Sequence, residues 1–314
     1  MANRIVITDQ KVTYYDEFSK IFVFSHLKIN RKKKVIYLSQ ILDENSDIYK
    51  KKYLDFFSNI YKNLKKKIYD FQVNKTFNNF TSSLFFEKSP FKTNLFDQLQ
   101  LLVLFDLLKK EKNYEVIYDL KNPELKLATN NLINYLQNKK KSQITINQNF
   151  NIKLHLSTVY AFFKVFILSL IINLINKKNY LVKNIYFSYY KKNYLVKTDP
   201  YWKNVFEKIN KNTFSLFLLD YEDFKEKKER INQVFYASDF FKLKNFIILI
   251  NIYLLKNNFK KQLNLVQQSF TKSEYSFLFP IIYKDLKKSF SGPIFIENYY
   301  NNISISNFLN NCKD

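Results

Sequence analysis

The sequence is poor in the small residue on which many ligand sites depend. It has one glycine, Gly292, in 314 residues. A phosphate-binding P-loop, a G-x-G-x-x-G dinucleotide turn and a G-x-S-x-G nucleophile elbow each need more than one glycine. A larger side chain at those positions would prevent the tight turn or keep the backbone away from the ligand. These three classes of site are therefore excluded.

Cysteine and histidine are almost as scarce. Cys312 is the single cysteine, and His26 and His155 are the only histidines. These counts exclude a disulfide within the chain and a multi-cysteine metal site, so we expect neither a disulfide partner nor a bound metal. The first ten residues lack the apolar core of a signal peptide, which predicts a protein that stays in the cytoplasm.

Arginine is rare in a strongly basic chain. The formal net charge is +24, yet arginine occurs only at Arg4, Arg31 and Arg230. Such a charge is typical of a nucleic-acid or anionic-membrane partner. Lysine is, however, encoded by AT-rich codons, as are the abundant Asn, Ile, Phe and Tyr, so part of the excess reflects the base composition of the gene. Because arginine is favoured for bidentate phosphate and base contacts, its scarcity weighs against a sequence-reading nucleic-acid binder.

Short β-branched and aromatic runs alternate with longer segments of helical period. The runs predict strands at residues 4–8, 35–38, 68–73, 115–118, 184–187 and 214–219. The helical period predicts helices at residues 50–68, 94–110, 123–138, 157–175, 221–235, 241–257 and 274–288. This alternation predicts an α/β fold, with helices on both faces of a mostly parallel sheet.

Two local patterns refine this picture. Asn94 and Asp97 resemble a capping box at the start of the helix 94–110, whose apolar residues nearly encircle it and predict deep burial. Three lysines at 139–141 begin a polar stretch, 138–150, that reads as a linker. We therefore expect one portion at residues 1–140 and a second at 141–314.

The apolar segment 154–175 is long enough to span a bilayer, which needs roughly 20 residues. Lys164 lies near its middle, and a charge at the bilayer centre costs about 2.5–3.5 kcal/mol on insertion scales. The pattern favours a buried core helix. A spanning helix and an interfacial helix remain alternatives, and Lys177, Lys178 and Lys183 beyond the segment would suit the inner face of the cytoplasmic membrane.

Two short segments carry the candidate site residues. The first, 87–93, reads Glu-Lys-Ser-Pro-Phe-Lys-Thr and precedes the predicted buried helix. The second, 287–293, reads Lys-Lys-Ser-Phe-Ser-Gly-Pro and is soon followed by an asparagine. The candidates within and after these segments are Glu87, Lys88, Ser89, Lys92, Lys288, Ser289, Gly292 and Asn298.

Together these segments resemble a family of bacterial surface-carbohydrate biosynthesis proteins. In that family a Glu-Lys-(Ser/Asn)-Pro-x-Lys-Ser-type loop precedes a long apolar helix, and a later Ser-x-x-Gly segment precedes an asparagine-containing helix. The resemblance covers residues 30–310 as short islands. It implies a Rossmann-like layered sheet from the N-terminal part of a two-lobed, GT-B-like glycosyltransferase, with the C-terminal lobe lacking, acting in capsule or lipopolysaccharide assembly.

The resemblance also implies roles for the candidates. Glu87 would be the catalytic base or an orienting acid, and Lys88 and Lys92 would contact phosphate or carboxylate groups of an acidic glycan or a lipid-linked acceptor. Ser89 and Ser289 would donate hydrogen bonds to sugar hydroxyls. The donor would be a sugar nucleotide, with no tightly bound cofactor, and the chain would be inactive alone if the donor lobe is lacking.

Structural interpretations of the same residues stay open. Residues 87–93 would also suit a helix start with Pro90 near its first turn, and Gly292 would suit a left-handed helix C-cap. For the whole chain the alternative is a non-catalytic RNA-binding or ribosomal-type protein from an AT-rich genome. That alternative explains the net charge, but the scarcity of arginine and the lack of a long basic tail weigh against it.

Overall fold

The computed structural model describes residues 3–10, 18, 20–24, 34–74, 77–84, 93–111, 113–137, 152–172, 185–188, 215–218, 234–254, 257–271 and 273–311. The chain forms two compact units, each assembled from separate stretches of sequence. The first contains Met1–Phe71, Phe80–Phe150 and Asn257–Phe290, and the second contains Gln72–Asn79, Asn151–Lys256 and Ser291–Asp314. One passage between the units lies at residues 150 and 151.

The elements follow one another along the chain in mixed α/β order. The first strands and helices are β1 (Asn3–Thr8), β2 (Lys20–Val23), β3 (Val35–Tyr37), α1 (Leu38–Glu44), α2 (Ser46–Lys65), α3 (Leu95–Leu108), β4 (Tyr114–Asp119) and α4 (Pro123–Leu136). These are followed by α5 (Ile152–Ile172), β5 (Ile185–Ser188), β6 (Ser215–Leu218), β7 (Val234–Tyr236), α6 (Leu243–Leu254), α7 (Asn257–Phe270), α8 (Phe279–Ser291) and α9 (Pro293–Asn311). Short 3₁₀ turns cover Ile68–Phe71, Ala237–Phe240 and Ser276–Leu278.

The first unit is built on a four-stranded parallel sheet in the order β3-β2-β1-β4. Alternate residues of its central strands point to opposite faces, as the period of a strand requires. Ile5 and Ile7 join the main core, whereas Val6 belongs to a smaller cluster on the other face with Ile21 and Val23. The predicted α/β fold with parallel strands is confirmed at this level.

Helix α3 is the most deeply buried helix segment beside the sheet. Its residues Leu101 to Phe105 are each at most 3% exposed, because apolar side chains surround the whole helix. Helix α2 instead buries one stripe, including Tyr53, Phe56 and Ile60, and leaves four of its five lysines exposed. The predictions of a deeply buried α3 and an amphipathic α2 are both confirmed. The N-terminus of α3 is part of the site described below.

The strand predicted at residues 68–73 is wrong. Residues Ile68–Phe71 form a 3₁₀ turn, in which the N–H of Asp70 donates to the carbonyl of Lys67. The turn carries the Phe71 ring into the core, 5.3 Å from Phe80 and 5.9 Å from Phe290 between ring centroids. Burial of this one ring stabilises a turn where the apolar pattern alone favours a strand.

The second unit has its own parallel sheet, in the order β5-β6-β7. In the same unit, α5 packs against α6 and α9. Aromatic pairs join α9 to the residues before α6, with ring centroids 5.0 Å apart for Phe240–Phe308 and for Phe241–Tyr300. The last residues predicted as the helix 221–235 form β7 instead, and residues 219–233 lie outside the described part of the chain.

Helix α5 covers most of the apolar segment predicted at 154–175. One of its faces is buried through Ala161, Val165 and Leu168. Among the helices that the structure describes, none combines the length and apolar character needed to cross a bilayer.

Candidate functional site

A buried polar cluster lies on helix α8, in the first unit. Asp285 and Ser289 are four residues apart on this helix and therefore share one face, with exposed fractions of only 1% and 2%. Asp285 lay within the predicted helix 274–288, whereas Ser289 lay just beyond it, in the recognised segment 287–293. Buried polar side chains are costly unless they have partners, so their partners indicate what the cluster does.

Ser289 uses both hydrogen-bonding capacities of its hydroxyl inside the protein. Its Oγ donates to the backbone carbonyl of Asp285 at 2.8 Å and accepts from the backbone N–H of Leu84 at 2.9 Å. Leu84 directly precedes the segment 85–92. The hydroxyl expected to reach a sugar is therefore buried, and its role is to hold one end of that segment.

Asp285 holds the other end. Its Oδ2 accepts from the backbone N–H of Asn94 at 3.3 Å, and its Oδ1 accepts from Asn94 Nδ2 at 3.4 Å. Asn94 is the N-cap residue of α3, but its side chain does not cap the helix. The expected capping box is thus replaced by a bond to α8. A carboxylate at a helix N-terminus is also favoured by the helix dipole.

Opposing effects act on the pKa of the Asp285 carboxyl. Burial raises the pKa of this carboxyl to about 6, although Lys288, the Asn94 N–H and Lys284 act in the opposite direction, and Asp97 adds to the rise. The Lys288 ammonium lies 3.8 Å from Asp285 Oδ1 and is partly exposed. Lys284 also forms an ion pair with Glu124 at 3.1 Å. A carboxyl with such a pKa changes its charge near neutral pH, as groups at functional sites often do.

A second buried pair extends the polar cluster toward α2. The Tyr53 hydroxyl donates to Gln98 Oε1 at 2.9 Å. Burial and the nearby negative charge of Asp285 both raise the pKa of Tyr53 above its ordinary value. Tyr53 is therefore a neutral hydrogen-bond donor at physiological pH, and it links α2 to the first turns of α3.

The predicted site residues fall into three groups. Glu87, Lys88, Ser89 and Lys92 lie outside the described residues. Lys288 and Ser289 lie on α8 beside the anchors of that segment. The remaining two, Gly292 and Asn298, belong to the second unit.

Gly292 departs from the left-handed C-cap interpretation. Its φ is not positive, and its carbonyl accepts from the N–H of Phe295 at 3.2 Å. It therefore stands at the start of α9, directly before Pro293, rather than in a left-handed turn. Pro293 fits the first position of a helix because its missing N–H needs no partner there.

A further polar group lies at the carboxyl ends of β1 and β4, and sequence reasoning missed it. Thr8 Oγ1 donates to Asp119 Oδ2 at 3.2 Å. The Asp9 carboxylate accepts the backbone N–H groups of Lys121 and Asn122 at about 3.0 Å. Burial alone would raise the pKa of Asp9, but these N–H groups outweigh it and lower the pKa below its usual value. The available signal was the polar residues at the ends of the two strands, Thr8 and Asp9 for β1 and Asp119 for β4.

This edge is where the strand order changes direction. The chain proceeds from β1 outward to β2 and β3, and β4 then adds on the other side of β1. In open parallel sheets, ligands bind outside the carboxyl ends of the strands at such a point. Among the described residues, no group of three or more His, Cys, Asp or Glu side chains could hold a metal ion.

The chain has no match among known proteins: no family model, no curated protein and no solved structure resembles it detectably. The two polar groups of the first unit, at α8 and at the β1–β4 edge, are therefore the basis for assigning a function. The group at α8 holds the ends of the segment rich in candidate residues. The group at the β1–β4 edge lies at the carboxyl ends of two neighbouring parallel strands.

Proposed function

We propose that this protein acts in bacterial surface-carbohydrate assembly as a glycosyltransferase-like protein, with an acidic glycan or a lipid-linked acceptor bound beside α8. The observation that carries the proposal is the anchoring of Leu84 by Ser289 and of Asn94 by Asp285. Leu84 and Asn94, which flank Glu87, Lys88 and Lys92 in the sequence, both contact this face of α8, which also carries Lys288. That arrangement supports a basic acceptor site.

The chemistry of this face suits an anionic sugar. Lys288 is partly exposed, and it lies near the N-terminus of α3, whose dipole favours negative charge. Lys88 and Lys92 would add charge-assisted hydrogen bonds to a phosphate or carboxylate. Asp285 is too buried to touch an acceptor, so we assign it as a positioning residue that orients Lys288 and Asn94. Glu87 remains the candidate base.

The sheets support a finer assignment of the fold. We propose that the first unit is a Rossmann-like lobe of a GT-B-like architecture, since its strand order reverses beside β1 and the second unit has a parallel sheet of its own. A sugar nucleotide is the donor class that fits this proposal, and the β1–β4 edge is the position at which parallel sheets bind such ligands.

Complementation in the source bacterium tests the proposal. A strain lacking the gene would receive the wild-type chain, the double variant Lys88→Ala/Lys92→Ala, or the matched control Lys65→Ala/Lys66→Ala from the exposed end of α2. We expect wild type and control to restore surface glycan, and the Lys88/Lys92 variant to restore less than a tenth of it. Full restoration by that variant, at equal protein level, would refute the assigned acceptor site.

A further inference from the structure

Helix α5 carries an apolar face that is open to solvent. Its members recur at intervals of three and four residues, and between 42% and 66% of each side chain is exposed: Leu156, Val159, Tyr160, Phe163 and Leu170. This spacing places them on one face of the helix, opposite the buried face with Val165. Large contiguous apolar patches are rare on the surfaces of soluble monomers, and they commonly mark interaction sites.

Helix α6 enlarges this face. The Phe162 ring lies 4.7 Å from Tyr253, and the Phe166 ring lies 5.1 Å from Phe246, so the two helices run antiparallel. Around the axis of each helix, the exposed apolar residues lie about a quarter turn from the rings that join the two helices, and the rotation has the same direction along both chains. In an antiparallel pair this places them on the same side. Helix α6 thereby contributes Ile247 and Leu254, which are 53% and 68% exposed.

We infer that this α5–α6 face docks on the surface of an anionic lipid bilayer and lies in the interface. Lys164 borders the face, and a lysine at such a border can bury its stem while its ammonium reaches the headgroups. Tyr160, also at the border, is amphipathic in the way that interfacial tyrosines are. Helix α5 is apolar on both sides: the side with Val165 packs inside the unit, and the exposed side, with Lys164 at its border, is the one left to contact lipid.

Charge selects the bilayer over a second copy of the chain. The net charge of +24 makes two copies repel one another, whereas an anionic leaflet attracts the same surface. In the sequence, Lys177, Lys178 and Lys183 follow soon after α5, and such basic residues strengthen binding to acidic lipids. The inference rests on α5, α6 and charge alone, so it stands or falls separately from the proposed sugar transfer.

Vesicle sedimentation with the full chain tests this inference. The vesicles would contain phosphatidylcholine alone or with phosphatidylglycerol, and the variants would be Val159→Glu/Phe163→Glu and the control Ile48→Glu/Tyr69→Glu. The control residues are exposed apolar side chains of the first unit. We expect the wild type and the control to bind the anionic vesicles, more weakly as salt rises, and the Val159/Phe163 variant to bind at least tenfold more weakly.

A local probe keeps the test decisive if the charged variant misfolds. In a Cys312→Ser background, an environment-sensitive dye would be attached at Phe163→Cys or, as control, at Tyr69→Cys. We expect a blue shift on addition of anionic vesicles for the dye at position 163 and none at position 69. No wild-type binding, equal shifts at both positions, or a dimer in sedimentation velocity that Val159→Glu/Phe163→Glu abolishes would each overturn the inference.

Discussion

The carboxylate of Asp285 accepts the backbone N–H of Asn94 at 3.3 Å, across 191 residues of sequence, and so joins α8 to the N-terminus of α3. Ser289, one turn further along α8, holds Leu84 in the same manner. Two side chains of one helix thus hold Leu84 and Asn94, which flank residues 85–93 in the sequence. Changes at these two positions should alter that anchoring and leave the sheet intact.

The pH dependence of stability should report on Asp285. Because burial raises its pKa from 3.8 to about 6, the folded state binds the proton more tightly than the unfolded state does. The contribution of Asp285 to the free energy of unfolding is therefore fully present below its ordinary pKa and is lost as the pH rises through about 6. A shift of this size corresponds to about 3 kcal/mol.

Asp285→Asn isolates this effect, since the amide keeps a similar shape without the titration. We expect the free energy of unfolding of the wild type, minus that of the variant, to fall by about 2–3 kcal/mol between acidic and neutral pH. Urea unfolding at a series of pH values measures the difference. A difference that does not change with pH would show that Asp285 does not titrate in this range.

Ser289→Ala should loosen the contact at Leu84. The variant leaves the buried Leu84 N–H without its acceptor, and such a loss costs about 1–3 kcal/mol. Hydrogen exchange followed by mass spectrometry should show faster exchange in the peptide that contains the Leu84 amide. Ser58→Ala, a half-buried serine on α2, is the control and should leave that peptide unchanged. Unchanged exchange in Ser289→Ala would contradict the anchoring role.

Asp9→Ala should weaken the β1–β4 edge at neutral pH. The carboxylate accepts the backbone N–H groups of Lys121 and Asn122, just before α4, and loss of a hydrogen bond typically costs about 1 kcal/mol. Because the pKa of Asp9 is lowered, its contribution is present above the ordinary pKa of 3.8 and is lost as the pH falls through the folded value. Urea unfolding should therefore show a cost at pH 7 that shrinks in acid, whereas Asp43→Ala should show little cost. A cost of equal size at both pH values would contradict this account.

Local pattern was enough to predict much of the fold. The β-branched runs near β1 and β4 predicted both strands to within a residue or two of their observed ends. The all-round apolar pattern of α3 correctly predicted its burial. By contrast, β2 and the turn at Ile68–Phe71 were not predicted, because they are stabilised by pairing with β1 and by burial of Phe71, which are contacts between distant parts of the chain.

The site was harder to predict for the same reason. The capping pattern at Asn94 could not reveal that its backbone N–H and its side-chain amide both donate to Asp285 on α8, far along the sequence. Likewise, the bonds from Asp9 to Lys121 and Asn122 depend on β1 and β4 being neighbours in the sheet. Sequence reasoning found Lys288 and Ser289 by motif, but it could not distinguish a ligand contact from the buried hydroxyl that Ser289 provides.

The most direct test of the acceptor site is a binding measurement on the full chain. Isothermal titration would compare a uronic-acid oligosaccharide with a structured RNA, using the wild type, Lys88→Ala/Lys92→Ala and Lys65→Ala/Lys66→Ala. We expect the oligosaccharide to bind the wild type and the control, and to bind the Lys88/Lys92 variant at least tenfold more weakly. The opposite result would be tight RNA binding with a steep salt dependence, equal in all three proteins, and no oligosaccharide binding; it would contradict the proposal in favour of an RNA-binding protein.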